Sequence, residues 1–101
     1  VADERWWWRW LNVLAPYGVL IRAFVDGVLS GEEFEIIFLT MQRDGPGWSG
    51  EAGRVLDELF FDVDDFDPDP DRRALIGGID EAELRVRAAA AFARLSDLAT
   101  R

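Results

Sequence analysis

Leu84, Ala88, Ala91, Leu95 and Leu98 recur at spacings of three and four residues for almost five turns near the C-terminal end of the chain. That period places all five on one side of a helix. A helix with one apolar stripe must find partners to cover it, and the alanines in this one let a neighbour approach closely. Asp80 and Glu83 give it a box-like start, with a side-chain acceptor before the first turn and an acid within it. Whatever else the chain does, it has to supply helices that pack on this one.

Three more stripes of the same period precede it. Leu20, Ile21, Phe24, Val25 and Val28 predict a helix that starts or kinks at Pro16 and ends near Gly27. Ser30-x-x-Glu33 reads as a capping box, and the helix it opens carries Phe34, Ile37, Phe38 and Met41 before the turn at Asp44-Gly45-Pro46-Gly47. Ser49 is the next N-cap candidate, with Glu51 in the first turn. The third helix is predicted to run to about Phe61, with Val55, Leu56, Leu59 and Phe60 inward. Residues 63–79, punctuated by Pro68, Pro70, Gly77 and Gly78, read as the longest loop. Strand alternation and internal repeats are absent from the sequence. The expected fold is all-α, a small antiparallel four-helix bundle over residues 15–101, with an extra Trp-rich N-terminal helical segment over residues 1–14.

In that segment Trp6, Trp10 and Val13 share one helical stripe, Trp7, Leu11 and Leu14 lie beside it, and Asp3 is a plausible N-cap. Four tryptophans in five residues fit a helix packed sideways onto the bundle, or a partner-binding or dimerising patch. Lying on a membrane suits it least, because the segment is charge-balanced and the whole chain is acidic. The segment also lacks the charged, apolar and small-residue succession of a secretory leader, so the expected location is the cytoplasm.

Composition narrows the chemistry. With no Cys, His or Lys, the chain has no thiolate nucleophile, no imidazole base or ligand, and no Schiff-base amine. Its 11 positive residues are all Arg. Three Ser and two Thr remain, none in a nucleophile motif. No cofactor is expected, and an enzyme is disfavoured. A net charge of −9 repels nucleic acid and anionic membranes and attracts basic proteins.

That charge is concentrated between Asp57 and Asp71, which hold eight carboxylates in fifteen residues with no base until Arg72. Acids favour helix N-termini and disfavour C-termini. Glu32, Glu33, Glu51, Asp80, Glu81 and Glu83 obey this, whereas Asp62, Asp64 and Asp65 crowd the C-terminal end of the third helix. A local rule broken in one place points to a functional site. Three readings compete: a solvated loop with no role, a calcium loop, and an anionic surface for a cationic nucleic-acid site on another protein. The calcium pattern needs Gly at its sixth position and Glu at its twelfth. Counted from Asp65 those positions hold Pro70 and Ile76, and from Asp67 they hold Arg72 and Gly78, so the pattern fails. In the third reading, carboxylates stand where phosphates would and meet the Arg and Lys that grip a backbone.

From Tyr17 to Leu98 the chain resembles the colicin D immunity proteins and their wider bacterial relatives. The resemblance is carried by Leu20-Ile21-Arg22-Ala23-Phe24 with Gly27, by Ser30-x-x-Glu33-Phe34, and by Leu56-Asp57-Glu58-Leu59-Phe60. It continues through Asp64-Asp65-Phe66-Asp67-Pro68-Asp69-Pro70-Asp71-Arg72, the most distinctive piece, and Ile79-Asp80-Glu81-x-Glu83-Leu84-Arg85. It implies a four-helix bundle that neutralises a cognate basic nuclease toxin, of the tRNA-cleaving kind, by filling the toxin's cleft with RNA-mimicking acids. The partner is then a protein, with no direct nucleic acid and no membrane, bound 1:1 by a monomer. The acids implied to meet the toxin are foremost Asp64 and Asp69, then Glu58, Asp67 and Asp71, with Asp62 and Asp65 completing the patch. Phe60 and Phe66 read as core or loop anchors. The alternative function is a non-enzymatic acidic interaction module, either a nucleic-acid mimic or an adaptor docking through the Trp-rich helix.

Overall fold

A computed structural model describes residues 15–45 and 47–100 of the protein. The Trp-rich segment 1–14 lies outside the described residues. Among the described residues five helices follow one another: α1 (Tyr17–Val25), α2 (Gly31–Asp44), α3 (Gly50–Asp65), α4 (Pro70–Ile76) and α5 (Glu81–Thr100). Among the described residues the chain forms no strand, only an isolated parallel bridge between Phe66 and Ile79.

The starts of these helices follow their side chains. Ser30 closes a full capping box on α2: its hydroxyl accepts from the Glu33 amide at 3.1 Å while its own amide donates to Glu33 at 2.8 Å. Asp80 accepts from the Glu83 amide at 2.8 Å and so caps α5. Ser49 does stand at the N-cap position of α3, yet its hydroxyl makes no capping bond.

The expected end of the third helix needs correcting. α3 does not stop near Phe61 but continues to Asp65. Val63, fully buried and four residues after Leu59, carries the apolar stripe one turn further. The loop expected over residues 63–79 is also interrupted, by α4. Asp69 accepts from the amides of Asp71 and Arg72, Pro70 takes a position where its missing N–H costs nothing, and Gly77 ends the helix with a left-handed backbone at φ 72°.

α5 is the shared partner that its long stripe demanded. α1 and α3 both pack along it, and α2 packs on α1. Contacts give the directions. Arg22 and Phe24 of α1 meet Phe92 and Arg85 of α5, while Glu58 and Asp62 of α3 pair with Arg94 and Arg87. In both pairs of helices the numbers run in opposite senses, so α1 and α3 are antiparallel to α5. Phe24 stacks on Phe34 and Tyr17 meets Phe38, which makes α2 antiparallel to α1.

Leu84, Ala88, Ala91 and Leu95 are buried as expected, but Ala99 takes the last buried place and Leu98 lies half-exposed. Val28 and Ile37, expected on apolar stripes, are exposed at 74% and 40%. The buried stripe of α2 narrows to Phe34 and Phe38 because α2 is covered mainly by α1.

Arg85 ties the α1–α2 turn to α5. It donates to the carbonyls of Phe24 at 3.0 Å and Leu29 at 3.3 Å, pairs with Glu81, and lies 4.5 Å above the Phe24 ring. Beside it the Gly31 amide donates to the Glu81 carboxylate. A Cβ on Gly31 would come within 2.7 Å of the Phe66 ring and 2.8 Å of that carboxylate, so the approach requires glycine. The start of α2, the start of α5 and the end of α3 thereby gather at one end of the bundle.

Candidate functional site

At that end the chain leaving α3 is pinned in place before it can present anything. Phe66 is buried, the Asp67 amide donates to the Ile79 carbonyl at 3.1 Å, and the Ile79 amide donates to the Asp65 carbonyl at 2.8 Å. Phe66 is thus the anchor expected of it, and Phe60 packs half-buried against the same core.

The acids singled out in the sequence divide into three kinds. Glu58, Asp62 and Asp67 are spoken for. Glu58 pairs with Arg94 and Asp62 with Arg87 at 2.9 Å, both across the α3–α5 seam. Asp67 is only 6% exposed; it takes a two-pronged contact from Arg72 at 2.5 and 2.9 Å and a bond from the Asp69 amide at 3.0 Å. The Arg72 hydrogen bonds, and after them the Asp69 amide, hold the Asp67 carboxyl below the ordinary carboxylate range. Stability from this group is therefore fully present above its unfolded value and is lost as pH falls through the lowered one.

Asp69 is exposed but doubles as the α4 cap. Asp64, Asp65 and Asp71 are exposed and form no ion pair among the described residues. Asp57, two turns earlier on α3, lines a separate hollow with Tyr17, Gln42 and Trp48. The helix-end anomaly accordingly shrinks from three acids to two. Asp62 has its counter-charge, whereas Asp64 and Asp65 have none among the described residues.

Folding adds a carboxylate that linear spacing does not reveal. Partial burial, and after it the charges of Glu32, Asp67 and Asp64, pushes the Glu35 carboxyl upward. The start of α2 is therefore close enough to the end of α3 for their acids to repel. Nothing in the sequence places Glu35 within electrostatic reach of Asp64; the packing of Phe66 against Gly31 brings the two helix ends together. A raised carboxyl binds its proton more tightly in the folded state, so its burden on stability is present at neutral pH and relieved as pH falls through the raised value. Glu35→Gln is expected to raise the melting temperature at neutral pH, with the difference shrinking on acidification. Thermal melts across the acidic range check this.

Among the described residues, arginines at this end are engaged within the fold: Arg72 and Arg73 hold Asp67, Arg85 holds the α1–α2 turn, and Arg87 holds Asp62 and Glu83. Arg72 stays exposed while paired, and the exposed charges there without an ion pair among the described residues are negative. The nearest depression, of about 370 Å³, is lined by Phe66, Pro68, Arg73, Asp80, Glu81 and Ala82. This end displays charge on an open surface. Among the described residues no cluster of acids has the grouping that would hold a metal ion, and no helix is long and apolar enough to cross a membrane.

A family model described as bacterial self-protective colicin-like immunity matches residues 13–95, which takes in α1 to α4 and most of α5. No curated protein and no solved structure matches this chain. The helical fold of the described residues agrees with the resemblance seen in the sequence, and the matched model covers most of the chain: the chain belongs to the bacterial self-protective colicin-like immunity family, which implies a toxin protein as its partner.

Proposed function

We propose that this immunity protein neutralises a nuclease toxin by seating its acidic end in the toxin's basic active-site cleft. The observation that carries this reading is the contrast among the acids. Glu58, Asp62 and Asp67 are committed to holding the frame, while Asp64, Asp65 and Asp71 stand exposed on it without a counter-charge among the described residues. Unpaired carboxylates on a rigid segment lose little conformational freedom on binding. They can also take the places of phosphates against Arg and Lys.

The contact set is Asp64, Asp69, Asp71 and Asp65, with Glu35 added from α2. Glu58, Asp62 and Asp67 contribute field and scaffold. The toxin class is a tRNA-cleaving, colicin D-like ribonuclease. The inhibitor acts in the cytoplasm as a monomer, 1:1, by occlusion and without catalysis. Opposite fields steer the encounter, so the association rate falls steeply with salt.

The test is co-expression with the toxin encoded beside this gene. Growth and intact tRNA are expected when the wild-type chain is present. Continued growth arrest with the chain well expressed would refute the reading.

A further inference from the structure

α4 is folded the wrong way round for a surface helix. None of its residues is buried, and Leu75 and Ile76 are 87% and 64% exposed. Its polar side is the side tied down: Arg72 grips the buried Asp67, and Arg73 donates to the Asp67 carbonyl at 2.8 Å. A helix this short is marginal by itself, and here caps at both ends hold it without any apolar burial. Surface helices ordinarily turn their apolar side to the core. Among the described residues nothing covers Leu75 and Ile76, so a partner molecule that sits over them would bury them.

These side chains adjoin the acids. A Cβ on Gly78 would lie 2.6 Å from the Asp65 carbonyl and 3.7 Å from Ile76 Cδ1, so the end of α4 folds back on the end of α3. Phe61, 66% exposed, stands one turn before Asp65 on the same side of α3. Large apolar side chains therefore bracket the segment that carries Asp64, Asp65 and Asp71.

We infer that Phe61, Leu75 and Ile76 form an apolar contact with the toxin, covering a hydrophobic rim beside its basic cleft. This rests on the function proposed above. Charge selects the occupant: a second copy of the chain, at −9, would bring like acids face to face, whereas a basic partner approaches with complementary charge. The two kinds of residue then divide the work. Acids set the rate of encounter, and the apolar trio sets how long the complex lasts.

The experiment measures binding kinetics to the catalytically inactive nuclease domain of the toxin encoded beside this gene. Leu75→Gln with Ile76→Gln is the main variant, since Gln keeps helix propensity and both sites are exposed. Phe61→Gln is the second variant, and Val19→Gln, 60% exposed at the start of α1, is the control. Circular dichroism confirms that each is folded. The double variant is expected to dissociate about tenfold faster, with association changed less than about twofold and the control unchanged.

Unchanged dissociation in both variants, while Asp64→Ala slows association, would overturn the apolar contact and leave the acidic reading standing. No binding of that domain by the wild-type chain would overturn both. A wild-type dimer that the double variant abolishes would assign the patch to self-association and overturn the inference.

Discussion

Phe34→Ala is expected to remove about 3–5 kcal/mol of folding stability and to lower the melting temperature by about 15 °C or more. Phe34 is fully buried, stacks on Phe24 with ring centroids 4.4 Å apart and planes 7° from parallel, and meets Phe38 edge-on. The cavity would open between α1 and α2, where backbone and rings are already in close contact. A domain of this size has about 5–15 kcal/mol in total, so the loss is a large share. The effect would not stay local, because Phe34 follows Gly31, whose close approach to Phe66 anchors the acidic segment. Phe61→Ala, at a side chain 66% exposed, is expected to change stability by no more than about 0.5 kcal/mol. Thermal and denaturant melts of the two variants give the comparison. A small loss for Phe34→Ala would mean that the α1–α2 packing is not as described.

Asp64→Ala combined with Asp69→Asn is expected to weaken toxin binding by about 100-fold or more, two charge-assisted contacts being lost at once. The choice of Asn at 69 follows from the cap: Asp69 receives the amides of Asp71 and Arg72, and Asn preserves that while removing the charge. Alanine there would loosen α4 and confuse a fold effect with a binding effect. At Asp64, which has no ion pair among the described residues and sits at a helix C-terminus, removing the charge is expected to leave stability unchanged or slightly raised. Binding titrations at two salt concentrations, with melts of the unbound protein, check both halves. Full affinity in the folded double variant would show that these acids do not carry the contact.

The existence of α1, α2, α3 and α5 is legible in the sequence because each stripe and most caps are local. Ser30 with Glu33, the apolar positions of α5 and the anchor Phe66 all follow from residues within a turn or two of each other. The missing part was non-local. The end of α3 was misplaced because Val63 has meaning only once it is buried against the bundle, and α4 was missed because it buries nothing and leaves no apolar stripe to read. The acids posed the same difficulty. Sequence ranks them only by helix-end position and by resemblance, while their pairing comes from Arg72, from Arg87, 25 residues from Asp62, and from Arg94, 36 residues from Glu58. Glu35 is hidden in part for that reason too: of the acids that raise it, Glu32 is on its own helix, but Asp67 and Asp64 come from the end of α3 and the loop after it. The bond between its helix and α5, from Gly31 to Glu81, spans fifty positions.

Occlusion by RNA mimicry is tested most directly by competition. The inactive nuclease domain is loaded with labelled tRNA and titrated with the wild-type chain. Mutually exclusive binding, with the tRNA fully displaced at one equivalent of the inhibitor, is the expected result. A stable ternary complex of toxin, tRNA and inhibitor would contradict it, because the acidic end could not then be occupying the cleft that holds the RNA.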